Sequence, residues 1–295
     1  MIFKKRMSYK KLILFLVFGI FLILFMNNLN AGVSVSDFNK VHKITINGSL
    51  INGSHTDFPV LLTEDNFDNK IFNNANDSGC DLRITTDYSG YNEIPLEVVD
   101  FNNSENTTEI WTKVNLTDAT NKTLYIWYGN PSAECYDDSD TYGSENVWND
   151  NYKLSSHNSL NDSTLNNNQG TEEGGVISGG AIGKIGSATE FDGTNDYVDL
   201  PIETLNGMDE SGGTFTLWVY ANFSDIGSGD VRIINSEHSL GGDYEFRTYH
   251  SNKISIYIGS GTLYNKGRAF PTGYTPQDNK WFLLNYKWEY DATAD

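Results

Sequence analysis

Two aspartates in a glycine-rich stretch are the side chains of this sequence best suited to hold a metal ion. Asp225 and Asp230 are the acidic residues of the run Ser-Asp-Ile-Gly-Ser-Gly-Asp. Calcium binds oxygen ligands, and glycines between two carboxylates allow backbone carbonyls to turn toward the ion. We therefore predict a Ca²⁺ site at Asp225 and Asp230. Asp192, Asn195 and Asp196 form a second acidic stretch, but Asp-Gly and Asn-Asp are common turn residues, so we interpret it as a turn.

The sequence lacks the common catalytic patterns. Glycoside hydrolysis needs two carboxylates about 5–10 Å apart, and an alternating Glu-x-Asp-x-x-Glu run would place them on one face of a strand. The nearest match begins at Glu289 and Asp291 but has Ala294 at its third acidic position. Neither His-Glu-x-x-His nor Gly-x-Ser-x-Gly nor a phosphate-binding loop occurs. We therefore expect a protein that is not an enzyme. The histidines, which we interpret as surface or strand residues, are His42, His55, His157, His238 and His250.

The overall charge and the N-terminus limit the partners and the location of the chain. The formal net charge of −19 repels phosphate backbones, so we expect no nucleic-acid partner. Five basic residues precede the apolar run 12–26, which is shorter than the roughly 20 residues that span a bilayer, and the small Ala31 follows. We predict a signal peptide over residues 1–31. An uncleaved N-terminal anchor helix is the alternative, and it would be the only contact with a membrane.

Short apolar stretches separated by Asn, Asp, Gly and Ser clusters recur after residue 31, without a helical period. The predicted strands of the first half cover residues 43–46, 59–62, 81–85, 96–101, 110–114 and 124–128. This pattern predicts an all-β protein with two β-sandwich, jelly-roll-like domains. We place the domains at 38–131 and 148–295, joined by an acidic linker at 132–147. Cys80 and Cys135 form one disulfide or remain two buried thiols, and their spacing leaves both open.

The second half carries a family resemblance. Residues 186–201, which include Phe-Asp-Gly-Thr-Asn-Asp-Tyr-Val-Asp-Leu, predict a strand, an Asp-Gly turn and a second strand. Residues 213–220, Gly-Thr-Phe-Thr-Leu-Trp-Val-Tyr, predict a third strand, and we interpret the glycine-rich residues 174–180 as a flexible loop. These segments resemble LamG-like, concanavalin A-like jelly-roll domains. The resemblance implies a secreted sandwich that binds a ligand outside the cell. It also implies further strands after 281–288, so we expect a fragment truncated inside this domain.

The first half carries a second resemblance, over about residues 40–135. Its ordered phrases are Asp-Phe-Pro-Val-Leu-Leu at 57–62, Gly-Cys-Asp-Leu-Arg-Ile at 79–84, Ile-Pro-Leu-Glu-Val at 94–98 and Leu-Tyr-Ile-Trp-Tyr-Gly-Asn-Pro at 124–131. They resemble a prokaryotic domain of unknown function that precedes LamG-like domains in exported proteins. Some members are fused to MotA/TolQ/ExbB-like channels, and nothing in this sequence resembles that channel.

These observations together favour an exported, non-enzymatic binding or adhesion module for carbohydrate or another cell-surface polymer. The alternatives are an accessory binding region of a larger exported enzyme of the glycoside hydrolase type, and a structural spacer of a surface protein. Sugars are commonly bound by stacking on exposed aromatic rings. The aromatic residues available for stacking in the second half, most of which we expect in the core, are Tyr244, Phe246, Tyr249, Tyr257 and Tyr264. The sequence leaves the oligomeric state open.

Overall fold

The structure is a computed structural model that describes residues 33–157, 160–201, 204, 212–222, 231–236, 243–249, 253–259 and 277–289. These residues form sixteen strands and four single-turn 3₁₀ helices, which confirms the predicted all-β class. The strands are β1 (Lys40–Ile46), β2 (His55–Thr63), β3 (Arg83–Thr85), β4 (Glu93–Ile94), β5 (Leu96–Asn102), β6 (Thr107–Leu116), β7 (Lys122–Tyr128), β8 (Thr171–Glu173), β9 (Ile177–Ile182), β10 (Ser187–Glu190), β11 (Tyr197–Asp199), β12 (Gly212–Ala221), β13 (Val231–Ser236), β14 (Asp243–Tyr249), β15 (Lys253–Gly259) and β16 (Lys280–Glu289). The 3₁₀ helices are Val35–Asp37, Gly48–Leu50, Glu64–Asn66 and Ser144–Asn146.

The chain divides into two compact units, Met1–Thr204 and Leu205–Asp295. We expected the boundary between domains within residues 131–150. The segment 132–147, which we expected to be an acidic linker, contacts the first unit: Val147 is fully buried, and the Leu96 amide donates to the Tyr142 carbonyl over 3.1 Å. Within the described part of the chain, no helix has the length and apolar character needed to cross a membrane.

Two antiparallel sheets of the first unit enclose its hydrophobic core. One sheet has the strand order β1-β7-β3-β4, and the other has the order β2-β6-β5. Ile84 and Ile126 from the first sheet join Leu62 and Ile110 from the second in one buried cluster. The first unit is therefore a β-sandwich whose inner faces are apolar.

Side chains along β6 point alternately toward the core and toward the outer face of the sheet. Ile110, Thr112 and Val114 are buried toward the core, as the predicted strand period requires. Glu109 and Trp111 share the opposite, outer face, because they also lie two residues apart. Glu97 of β5 pairs with Trp111, which places it on the same outer face.

One buried carboxylate joins three segments of the first unit. Asp81 is fully buried, and its Oδ1 accepts from the Asn76 amide over 2.8 Å. Its Oδ2 accepts from the amides of Gly129 and Asn130 over 2.7 and 3.1 Å. Asp81 and Leu82 therefore lie in a loop. The strand predicted at 81–85 begins only at Arg83. The other predicted strands of the first half lie within observed strands.

The Phe-Asp-Gly region corrects two expectations. Its two strands form, but they do not pair as a hairpin: β10 pairs with β9, and β11 pairs with β8. Within the intervening loop, the Asp192 amide donates to Asp196 and the Thr194 amide donates to Asp192, each over 2.7 Å. The stretch that we interpreted as a flexible loop contains β9, so that interpretation is wrong for residues 177–180.

The second unit contains the predicted strand at 213–220 as part of β12, which pairs antiparallel with β16. One face of β12 carries Phe215, Leu217 and Val219. These side chains pack with Phe282 and Leu284 of β16. A three-stranded sheet has the order β13-β14-β15. Apolar residues at every second position drive this arrangement.

Candidate functional site

The structure describes only one of the two acidic stretches that we considered as calcium sites. Asp225 and Asp230 lie outside the described residues, so their site stays a prediction. Asp192 and Asp196 accept hydrogen bonds within their own loop, as the turn interpretation expects. Within the described ranges, no group of three or more His, Cys, Asp and Glu residues could hold a metal ion.

A polar cavity of about 500 Å³ lies in the first unit. One side is formed by β5 residues 96–99, and another by the loop 78–83. The remaining lining comes from His157 and from residues of two later segments, 135–145 and 161–169. Glu97, Arg83, His157 and Ser163 are among its charged and polar lining groups.

His157 lies between two glutamates of the outer sheet face. Its Nε2 is 3.3 Å from Glu97 Oε2, and its Nδ1 is 3.2 Å from Glu109 Oε1. All three side chains are at most 10 % exposed. An ionised carboxylate can only accept, and a neutral imidazole has a single N–H. The geometry therefore fits an imidazolium that donates to both carboxylates.

The pKa values follow from this arrangement. Burial alone would lower the pKa of His157, but the hydrogen bonds and charges of Glu109 and Glu97 outweigh it and raise the pKa to about 9. The cluster thus places one positively charged imidazolium between two carboxylates. Removing the proton from His157 would leave two buried carboxylates without their counter-charge, which is costly in a poorly hydrated site.

Two indole rings complete the environment of His157. Trp111 Nε1 donates to Glu109 Oε1 over 2.9 Å, and Trp148 Nε1 donates to Glu97 Oε2 over 2.8 Å. The rings of Trp111 and His157 are stacked with centroids 5.5 Å apart, and the Trp148 centroid is 5.7 Å from the imidazole. The hydroxyl of Ser163 donates to the second oxygen of Glu97. Ring contacts and hydrogen bonds together thus fix the positions of His157, Glu97 and Glu109.

A second charged network lies at the wall of the cavity near the cysteines. Cys80 and Cys135 form a disulfide. Arg83 donates to the carbonyls of Cys80, Leu82 and Glu134 over 2.7–2.8 Å, and its guanidinium lies 4.0 Å from the centroid of the Tyr136 ring. This network fixes the segment that follows the disulfide.

The Arg83 network also contains a buried acid. The Tyr136 hydroxyl donates to Glu93 Oε1 over 2.7 Å, and Arg83 Nε is 3.9 Å from the same oxygen. Burial raises the pKa of Glu93 despite these favourable partners, and it also raises the pKa of Tyr136. Since the carboxylate already has a donor and a cation, the arrangement is a structural network rather than a set of free catalytic groups.

The loop at 86–92, which we call the aromatic loop, presents two tyrosines to solvent. Tyr88 is 64 % exposed and Tyr91 is 79 % exposed. One face of Tyr88 contacts the rings of Tyr125 and Trp127, with centroids 5.5 and 5.7 Å away. The aromatic loop therefore exposes aromatic surface to solvent while the Tyr88 ring also packs against the rings of Tyr125 and Trp127.

Asp87 fixes the backbone of the aromatic loop. Its carboxylate accepts from the amides of Ser89, Tyr91 and Asn92 over 2.7–3.3 Å, and also from the Ser89 hydroxyl. The Ser89 hydroxyl bond contributes most to lowering the pKa of Asp87, and burial opposes it. At neutral pH the ionised acceptor holds the loop in one conformation.

Sequence reasoning missed the residues of the His157 cluster. Interpreting His157 as a surface or strand residue was wrong, because it is buried in an irregular segment. Glu97, Glu109 and His157 are far apart in sequence, so no spacing motif connects them. The sequence signal that could have found these residues is a glutamate beside apolar strand residues. Glu97 lies in Leu-Glu-Val-Val, and Glu109 directly precedes Ile-Trp. The exposed tyrosines of the aromatic loop were missed as well.

The fold and these sites define an all-β protein with a β-sandwich in its first unit. A family model described as "Domain of unknown function (DUF2341)" matches residues 78–152. This match supports the resemblance of the first half to a domain of unknown function, and it includes Glu97, Glu109, Trp111 and Trp148. No curated protein and no solved structure matches the chain.

Proposed function

We propose that this chain is an exported, non-enzymatic module that binds carbohydrate or another cell-surface polymer. The observation that carries the proposal is the pair of exposed tyrosines, Tyr88 and Tyr91, on the hydrogen-bonded aromatic loop. Pyranose rings present C–H faces that pack on aromatic rings, and polar groups orient them. The LamG-like resemblance of the second half supports the same class of ligand.

The conformation of the aromatic loop favours binding. Asp87 and the Trp127–Thr85–Asp87 hydrogen bonds, of 2.9 and 2.7 Å, hold the loop before any ligand arrives. A preorganised loop loses less conformational entropy on binding than a mobile one. Two exposed rings on such a loop can therefore contribute most of their contact energy to affinity.

Export is supported by two features. The N-terminal segment has the order of a basic region, an apolar run and a small residue, which is typical of secretory signals. The disulfide between Cys80 and Cys135 is typical of proteins that fold in an oxidising compartment. An acidic surface suits solubility outside the cell.

The experiment is a pull-down of the purified chain, without residues 1–31, on insoluble cellulose, chitin, peptidoglycan and a set of wall polysaccharides. For a polymer that binds, we expect Tyr88→Ala and Tyr91→Ala each to weaken binding about tenfold, from the loss of roughly 1–1.5 kcal/mol of aromatic contact. Tyr197→Ala is the matched control, because Tyr197 is 57 % exposed in the same unit but outside the aromatic loop.

The outcomes separate the alternatives. Loss of binding in both loop variants with an unchanged control supports the proposal. Equal binding of all variants would refute the aromatic loop as the contact. Absence of binding to every polymer would favour a structural spacer, and binding that requires a neighbouring catalytic domain would favour an accessory region of a larger enzyme.

A further inference from the structure

The segment that follows the 3₁₀ helix Ser144–Asn146 is placed against the outer face of the sheet β2-β6-β5. We define the strap as residues 147–157 and 160–168. Trp148, His157 and Ser163 of the strap all contact Glu97 of β5. His157 also reaches Glu109 of β6. The strap thus attaches to two adjacent strands through one charged cluster.

The strap is organised internally by a second carboxylate. Asp162 is buried and accepts from the amides of Ser155, Thr164 and Asn168 over 2.8–3.0 Å. It also accepts from the Thr164 hydroxyl over 2.8 Å. These contacts lie within the strap, so they give it its own shape without attaching it to the sheet.

We propose that the strap is a releasable cover of the outer sheet face and of the cavity beside it, and that the His157 contacts with Glu97 and Glu109 hold it in place. Residues 161–163 and 167 line the cavity from the strap side, and Glu97 lines it from the sheet. Release of the strap therefore opens the cavity and uncovers Trp111. Because Asp162 is independent of the sheet, the strap leaves as a unit.

The charged groups around His157 determine how the attachment responds to pH. Glu97 faces it from β5 and Glu109 from β6, and within the strap Asp162 is fully occupied by its own donors. A side chain at Gly186 would lie 2.9 Å from Glu109 Oε2, so the turn that contains the exposed Lys184 also borders the cluster. A neutral imidazole has a single N–H, so only a charged His157 can donate to both carboxylates at once.

The direction of the pH effect follows from the raised pKa. The attachment is fully present below the ordinary histidine pKa of 6.5 and is lost as the pH rises through about 9. The difference between these values corresponds to an increase of about 300-fold in the equilibrium constant for strap opening.

The test uses hydrogen exchange measured by mass spectrometry on the whole chain at pH 7. We expect His157→Gln to raise exchange of strap amides about 100-fold or more, while amides of β7 in the core keep their wild-type rates. His42→Gln is the matched control, because His42 lies on β1 of the other sheet, where its ring contacts the Asn66 carbonyl and the Phe67 ring. This control should leave strap exchange unchanged.

A second variant separates strap release from general destabilisation. Adding Glu109→Gln to His157→Gln removes one buried charge, so strap protection should recover in part. Fluorescence of the wild type gives an independent readout: tryptophan emission should shift to the red between pH 7 and 10, and the shift should shrink in Trp148→Phe. Strap exchange that is unchanged in His157→Gln, or that rises together with β7 exchange, would refute the proposal.

Discussion

Replacing the buried Asp81 is the sharpest test of how the first sandwich is held together. Its two oxygens accept from the amides of Asn76, Gly129 and Asn130, which join the loop before β3 to the end of β7. These amides have no other partner at hand once the carboxylate is removed. The three donor residues are half-buried, so each lost bond costs about 1 kcal/mol, the low end of the range for unsatisfied donors.

We therefore expect Asp81→Ala to lower the free energy of unfolding by about 3 kcal/mol. Asp81→Asn should lower it by about 2 kcal/mol, because one amide oxygen can still accept while the NH₂ group faces a donor. Both losses are a large share of the stability of an ordinary domain, which is about 5–15 kcal/mol.

The assay is urea unfolding at pH 7 under oxidising conditions, followed by tryptophan fluorescence, with exchange of the β7 amides as a second measure. Asp118→Ala is the control, because Asp118 lies in an exposed turn and its substitution should change stability by less than about 0.5 kcal/mol. If Asp81→Ala lost less than about 1 kcal/mol, the three hydrogen bonds would not be what joins these segments, and the reasoning would fail.

Three further predictions follow from particular residues. Replacing Cys80 and Cys135 by alanine should lower stability by about 4 kcal/mol, since the disulfide closes a loop with a sequence separation of 55; an unchanged urea midpoint would contradict this. The stability that His157 contributes should be fully present below pH 6.5 and fall by about 3 kcal/mol as the pH passes about 9, and the slope should vanish in His157→Gln. Millimolar calcium should raise the melting temperature relative to chelator, and Asp230→Ala should abolish the shift; equal melting in calcium and chelator would exclude the site.

Local patterns were sufficient to predict much of the fold. The alternation of Ile110, Thr112 and Val114 predicted β6 and its inner face, because a strand turns every second side chain to one side. Asn, Asp and Gly clusters marked the ends of most strands of the first half, because these residues favour turns. The disulfide was one of two options that the sequence left open.

Strand pairing was harder to predict. The Asp-Gly step at 192–193 predicted a hairpin, but β10 and β11 pair with the earlier strands β9 and β8. A two-residue turn pattern predicts that the chain turns there, but it does not predict with which strand each flanking strand pairs. That choice depends on contacts between residues distant in sequence.

The sequence by itself determined the all-β class, the acidic charge and the basic-then-apolar order of the N-terminal segment, because composition, charge and period are properties of neighbouring residues. Only the tertiary structure brought His157 between Glu97 and Glu109 and stacked it with Trp111. The distance in sequence between these residues is too large for any spacing rule, and their shared environment arises only when the strap lies on the sheet. The raised pKa of His157, the buried charges and the cavity are consequences of that packing, since desolvation and pairing act across space rather than along the chain.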